Sequence, residues 1–399
     1  MSDIPRIYDA ILADHLRRLR QMVFVTGPRQ VGKTTTCRAL ATTYLSWDNP
    51  GHRRLILSGP DAVAAHAQLG RLSGTIPVVA FDELHQHRKW RAFLKGFFDM
   101  HADAARTLVT GSTRLDLFRR AGDSLMGRFF TYRMHPLSVG ELLDPKLPKR
   151  LLRPPRQLTD REFLALYEHG GFPEPFLKRD RSFSLRWRRL RRDLILRQDA
   201  RDFSAVSDLS RLEVLGDILL ERSATQIVFA QLSSDLGVSV DTARRWVDAL
   251  ASLHFGFLLR PWSRSVARSL RKEPKWYLRD WSAVEDPGAR AETFVAAHLL
   301  KAVEGWTDLG LGTFELRYLR DKQKRETDFA VIRDRKPWLL VEAKRSDTAL
   351  SPALRHFQEQ TGAPHAFQVV LEEPFVKADP FERKGPVVVP ARTLLSQLL

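Results

Sequence analysis

The sequence predicts an α/β protein built on a parallel sheet, and three observations carry that expectation. A glycine-rich stretch, "FVTGPRQVGKTTTCRAL" at residues 24–40, lies between a strand-like apolar run and a helical one. A second apolar run, "IPVVAFDELHQ" at 76–86, ends in the acidic pair Asp82-Glu83. Strand and helix signals then alternate from about residue 20 to about residue 140, the order of a parallel sheet with helices across its faces.

In the first stretch, Gly27, Gly32, Lys33 and Thr34 fit the spacing G-x-x-x-x-G-K-[ST]. Met22–Val25 reads as a short buried strand and Thr34–Leu40 as the opening of a helix. The loop Gly27, Pro28, Arg29, Gln30, Val31, Gly32, Lys33, Thr34, Thr35 would wrap the phosphates of ATP. Backbone N–H groups and the helix N-terminus then face the negative charge. Lys33 would reach the β- and γ-phosphates, and the Thr34 hydroxyl would ligate Mg²⁺. A glycine-rich surface turn can match the spacing by chance, but here strand, loop and helix agree.

Val78–Phe81 is β-prone and apolar, as a buried parallel strand should be. Asp82 at its end is the expected carboxylate on Mg²⁺, acting through water, and Glu83 the expected base for the attacking water. The competing reading is an acidic pair that merely ends a strand. A third run, "RTLVTGSTRL" at 106–115, closes on Thr110, Gly111 and Ser112. Ser112 would sit where a sensor of the γ-phosphate belongs, although small polar residues also simply end strands.

With "SLMGRF" and "MHPLSVGEL", these segments resemble a large prokaryotic group of AAA+-type ATPases. Members of that group carry a helical lid, a winged helix and a C-terminal domain similar to PD-(D/E)XK nucleases. "GGFPEP", "KWYLRD" and "AETFVAAHLL…ETDFAV…LLVEAK" follow in the same order, so the resemblance covers nearly the whole chain. It implies a P-loop AAA+-type sheet at 1–150, a helical lid at 151–205, a winged helix at 206–280 and an α/β restriction-endonuclease-like domain at 281–399. It also implies a homo-oligomer, such as a hexamer, in which an arginine completes the neighbouring subunit's site. Arg128 in "SLMGRF" occupies a place suited to that role; a surface or lid-contacting arginine is the other reading.

The 399 residues hold 64 Lys and Arg against 47 Asp and Glu, a net charge of +17. Such a surplus favours a polyanionic partner, DNA before a membrane, unless the whole proteome is arginine-rich. Cys37 is the single cysteine, which rules out an intrachain disulfide or a cysteine-based metal cluster and suggests a reducing, cytoplasmic compartment. "MSDIPRIYDA" lacks the apolar core of a signal peptide, and no run approaches the ~18 apolar residues of a membrane span.

The proline-rich basic stretch "DPKLPKRLLRPPRQLTD" at 144–160 marks an expected boundary, with helical patterning resuming from Arg161. Phe183, Trp187, Leu190 and Leu194 fall on one expected helix face. Arg186, Arg188, Arg191 and Arg192 lie largely off it, either as solvated lid arginines or as a surface for a phosphate backbone. "FAQLSSDLG" and Val240–Ala251 read as a helix-turn-helix, with Leu232, Leu236, Val240, Ala243, Val247 and Leu250 as its core. Thr242, Arg244 and Arg245 could then project toward DNA, and "LHFGFLLRPW" suits the strands of a wing. Such units also serve as plain protein–protein spacers.

A second chemistry begins near residue 288. "ARAETFVAAHLLKAV" is an expected helix with Glu292 near its start. In "ETDFAVI", alternation puts Glu326 and Asp328 on one strand face and Phe329 and Val331 on the other. After the turn "RDRKP", "WLLVEAK" puts Glu342 and Lys344 on one face. Adjacent strands would thus gather Asp328, Glu342 and Lys344 at one sheet edge, the D…E-x-K order of the nuclease superfamily. There the resemblance implies a second Mg²⁺ or Mn²⁺ on Asp328 and Glu342, Lys344 acting on the water, and support from Glu292 and Gln358. A degenerate, DNA-binding version of the domain fits the same residues. Two functions therefore compete: an ATPase that works on DNA, and a nucleotide-switched scaffold whose later domains only bind partners.

Overall fold

A computed structural model describes residues 4–72, 74–111, 125–202, 208–263 and 273–399. Two compact units divide it, one comprising 1–136 with 145–147, the other 137–144 with 148–399. The lid, helix pair and C-terminal sheet expected as three domains share the second unit.

The first unit opens with helix α1 (Ile7–Arg18) and strand β1 (Met22–Thr26). Helix α2 (Lys33–Leu40), β2 (Thr43–Ser46), α3 (Pro50–Leu57), α4 (Pro60–His66), β3 (Val78–Asp82), α5 (Trp90–His101), β4 (Arg106–Thr110) and β5 (Phe129–Arg133) follow. The strands form one sheet in the order β2-β3-β4-β1-β5, with every pairing parallel. β1 is buried along its whole length, as a central strand covered on both faces must be. One core packs Phe24, Val79 and Phe81 of the sheet against Trp90, Leu94 and Phe97 of α5. Because β3 and β4 flank one another and β1 sits beside β4, the polar ends of all three open on the same edge, where the glycine-rich loop leaves β1.

The second unit begins with the short helix α6 (Val139–Leu143), then α7 (Asp160–His169), α8 (Pro173–Lys178) and α9 (Arg181–Asp193). α9 runs into a π-helical turn at Leu194–Gln198. Next come α10 (Leu209–Glu221), β6 (Thr225–Gln226), α11 (Phe229–Leu236), α12 (Val240–Ser252), β7 (Gly256–Leu259) and β8 (Lys275–Leu278). Gly237 ends α11 in the left-handed conformation and Ser239 caps α12 through its hydroxyl, which fixes the two-helix turn expected at that point. β6, β8 and β7 form a three-stranded antiparallel sheet. A single core joins Ile195, Leu212, Leu232, Trp246, Leu250 and Trp276, so the end of the lid segment, the helix pair and the small sheet fold together. Val240, expected in that core, is 40% exposed, and Trp246 takes the interior place.

The C-terminal part of the second unit consists of α13 (Pro287–Asp308), β9 (Phe314–Arg320), β10 (Glu326–Arg333), β11 (Lys336–Lys344), α14 (Pro352–Thr361), β12 (His365–Val370), β13 (Pro386–Pro390) and α15 (Ala391–Ser396). Its sheet runs β13-β12-β11-β10-β9, antiparallel from β9 to β11 and parallel from β11 to β13. Asp334 and Arg335, both at positive φ, make the two-residue hairpin between β10 and β11 at the turn the sequence marks.

Candidate nucleotide site and carboxylate cluster

Gly27 begins the loop after β1 at φ 137°, and a Cβ there would collide with the backbone carbonyl of Met134. Only glycine fits so close a passage. Lys33 opens α2, is buried, and folds its ammonium back onto the loop, donating to Gly27 O at 2.8 Å and Pro28 O at 2.7 Å. Burial pulls its pKa down to about 8. An ammonium held by two carbonyls in a dry loop is a cation waiting for an anion.

Asp82, at the end of β3, gathers three hydroxyls. Thr34 Oγ1 donates to it at 3.3 Å, and Tyr44 and Thr110 donate from β2 and β4. A hydroxyl and a carboxylate this close, both hard oxygen donors, fit Mg²⁺. Glu83 follows at φ 54°, its carboxylate 3.5 Å from His85 Nε2. Burial, with the Asp82 carboxylate beside it, pushes its carboxyl above the usual range. Cys37 is buried and its thiol is pushed well up, so it packs rather than reacts.

The sequence missed the loop's support. Arg6, buried at the start of α1, donates to Val31 O in the loop and to His135 O at 2.7 Å. Asp9 accepts from Thr36 of α2 at 2.8 Å. Arg128 is described, and its guanidinium grips Asp99 in bidentate fashion, Nε to Oδ1 at 2.7 Å and NH2 to Oδ2 at 3.1 Å. Ser112 lies outside the described residues.

In the second unit Arg244 and Arg245 are both exposed on α12. The first lies over the Phe229 ring at 4.7 Å and the second donates to Thr242 Oγ1 at 3.2 Å. Arg191 does not match its expected place. It is buried, donates to His254 O at 3.0 Å and lies 4.4 Å from the centre of the Phe172 ring, neither solvated nor part of a surface.

β10, β11 and α13 bring Asp328, Glu342 and Glu292 to one place, and β8 adds a residue the sequence did not assign. Lys275 is 4% exposed, and its ammonium lies 3.1 Å from Glu292, 2.6 Å from Glu326 and 3.1 Å from Asp328. Tyr277, two residues along the same strand, donates to Glu292 Oε1 at 2.7 Å. The other Asp328 oxygen accepts from Ala343 N at 3.0 Å. Lys344 is tied to Glu342 Oε1 at 3.0 Å, leaving Glu342 Oε2 buried without a partner. Burial, and after it the neighbouring Asp328, push the Glu292 and Glu342 carboxyls above the usual range.

At the expected metal residues the structure places two ammoniums, Lys275 against Asp328 and Lys344 against Glu342, and a divalent ion there would compete with both. Among the described residues no group of three or more His, Cys, Asp or Glu is set to hold a metal. The Gln358 amide donates to Ala363 O at 3.1 Å, at the end of its own helix. The only signal for Lys275 was its place in "KWYLRD", which gives neither its burial nor its partners.

Residues 19–143 match a family model described as an AAA domain. Residues 160–284 and 287–391 match two models described as domains of unknown function, DUF8612 and DUF4143. An uncharacterized protein of Mycobacterium tuberculosis and one of Mycobacterium bovis are each 25% identical over 353 residues, covering 84% of this chain and 73% of theirs. Among solved structures, the Orc1 protein of Aeropyrum pernix in complex with DNA is 16% identical, with a TM-score of 0.32 over 72% of this chain and 91% of its own. AMPPCP-bound DnaA of Aquifex aeolicus is 11% identical, with a TM-score of 0.28 over 63% and 88%. The parallel sheet, the loop geometry and the match over 19–143 together support an AAA+-type, nucleotide-binding ATPase fold in the first unit. No helix among the described residues is long and apolar enough to cross a membrane.

Proposed function

We propose that this protein is a Mg²⁺-dependent ATPase that acts on DNA as a homo-oligomer. The observation that carries the ATPase reading is the convergence of Lys33, Thr34, Asp82 and Glu83 on one edge of the parallel sheet. Lys33 exchanges the Gly27 and Pro28 carbonyls for phosphate oxygens. Thr34 and Asp82 would hold Mg²⁺, which supplies charge neutralisation on the phosphates when bound. Glu83 orients water and takes its proton.

The DNA reading is supported by the net charge of +17 and by a winged-helix-like order of two helices and an antiparallel sheet. The exposed Arg244 and Arg245 lie on the second of those helices. In this reading the C-terminal sheet is nuclease-like and grips DNA. One observation favours a second reading, the nucleotide-switched scaffold: the neutralised carboxylate cluster gives the C-terminal sheet no ready cutting site.

ATP hydrolysis should be measured without DNA and with single-stranded, duplex and branched DNA. Lys33→Ala should abolish turnover, and Glu83→Gln should bind ATP without turning it over. DNA should accelerate the wild type, and affinity should fall steeply as salt rises, more weakly in Arg244→Ala/Arg245→Ala. Hydrolysis indifferent to every DNA, with no binding, would favour the switch; wild-type turnover by Glu83→Gln would remove that residue as the base.

A further inference from the structure

We propose that Lys275 is the resident cation of the C-terminal cluster. Its ammonium lies where an ion shared by Glu292, Glu326 and Asp328 would sit, so this domain takes up no metal there. The inference rests on the nuclease-like reading of that sheet and is independent of the ATPase reading.

The match of donors to acceptors carries it. A lysine ammonium has three N–H donors and no acceptor. Three carboxylate oxygens, from Glu292 of α13 and from Glu326 and Asp328 of β10, lie 2.6–3.1 Å from Lys275 Nζ. Three donors meet three acidic side chains contributed by two elements, and the lysine comes from a third. The remaining charges are also paired: Arg320 donates to the second oxygen of Glu326 at 2.7 Å, and Lys344 to Glu342 at 3.0 Å. A divalent ion bound to Asp328 and Glu292 would have to sit against a fixed positive charge.

Lys275 is seated on a buried strand. Its backbone is held on both sides, opposite Gln226 of β6 and Leu259 of β7, and every residue of β8 is buried. The ammonium lies 5.9 Å from the centre of the Tyr318 ring, which helps to wall the site. Without Lys275, Glu292, Glu326 and Asp328 would face one another with no ammonium between them, a burial that costs free energy unless a cation or a proton offsets it. The same side chain thus accounts for why an acidic cluster can persist here without a metal. It also ties the small antiparallel sheet to α13 and β10.

The test is uptake of Mn²⁺ by full-length, nucleotide-free protein, read from loss of the free-ion EPR signal. Wild type should take up none at this cluster. Lys275→Met should gain one ion per chain and a higher melting temperature in Mn²⁺, and Lys275→Met/Asp328→Asn should lose both. Lys275→Arg, which keeps the charge, should stay without metal.

Uptake of one ion by wild type that disappears in Asp328→Asn would overturn the proposal, whether or not Lys275→Met folds. Failure of a folded Lys275→Met to gain an ion would overturn it as well. DNA nicking assays on the same samples separate the readings. Metal uptake with nicking by wild type sinks the proposal while sparing the nuclease-like reading. A gain of Mn²⁺ only in Lys275→Met supports both.

Discussion

Arg128 shows how a single side chain can be legible in place and illegible in role. The segment "SLMGRF" puts an arginine shortly before β5, a place the family resemblance suits to a residue acting in trans. In the single chain its fork is closed on Asp99. A guanidinium engaged in two N–H···O bonds must leave them to reach a phosphate in trans, so Asp99 holds it ready or holds it off. Arginine fingers elsewhere contribute about 10³–10⁵ in rate. If Arg128 is one, Arg128→Ala should lower hydrolysis by a large factor while ATP binding holds. Mixing Arg128→Ala with Lys33→Ala subunits should then restore part of it at mixed interfaces. Absence of rescue at every ratio, with subunit exchange confirmed, would return Arg128 to a surface role. The loop itself was readable because its residues are consecutive, with Gly27 demanded by a backbone contact and Gly32 by its positive φ. Arg6, Tyr44 and Thr110 were not, because each reaches the site from a distant point in the chain and no local pattern marks it.

At the level of elements, α9 separates pattern from packing. The apolar stripe Phe183, Trp187, Leu190 and Leu194 is present in the sequence, yet Leu190 is 59% exposed. The buried face is Ser184, Trp187 and Arg191, continued by Ile195 in the π-helical turn. A guanidinium is not expected inside, but here it stacks on Phe172 and bonds a carbonyl, which offsets its desolvation. Periodicity gave the helix and its length, and a cation–aromatic contact turned it. β7 holds the complementary case, a glycine required by packing alone. A Cβ on Gly256 would press into the fully buried Trp276 ring and the Tyr277 carbonyl. Neither can yield, since both belong to β8, the strand that carries Lys275. Gly256→Ala should therefore cost about 3 kcal/mol, the upper end for overpacking. Urea unfolding of the full chain followed by tryptophan fluorescence would read it, and a loss near zero would mean that the small sheet shifts freely.

For the whole molecule, the order of elements was legible and the division into units was not. Prolines at 144–160 suggest a boundary there, but Leu137–Asp144 already belongs to the second unit. That segment directly follows β5, the last strand of the first sheet. Its partners are far along the chain: Ser138 donates to Leu399 O at 2.7 Å, and Glu141 pairs with Lys301 in full burial. His298 completes the seat. Val139 N donates to its Nε2 at 3.1 Å, so the ring proton is on Nδ1, which donates to Phe294 O at 2.8 Å. Burial, reinforced by the Lys301 charge against the backbone bond to Phe294, pulls the His298 pKa down to about 3. The sign follows from which state binds the proton. Below the ordinary histidine pKa of ~6.5 the unfolded chain protonates this ring and the folded chain does not. Stability therefore falls as pH drops from about 6.5 toward 3, by about 1.4 kcal/mol per pH unit from this group alone. Other titrating groups contribute their own slopes, and these cancel in a comparison of wild type with His298→Gln, whose neutral amide can both accept and donate. Urea unfolding at a series of pH values from neutral to mildly acidic should give a shallower decline for the variant by that amount. Equal slopes would mean that His298 takes up its proton without unfolding, and that the 137–144 segment is seated loosely enough to let it.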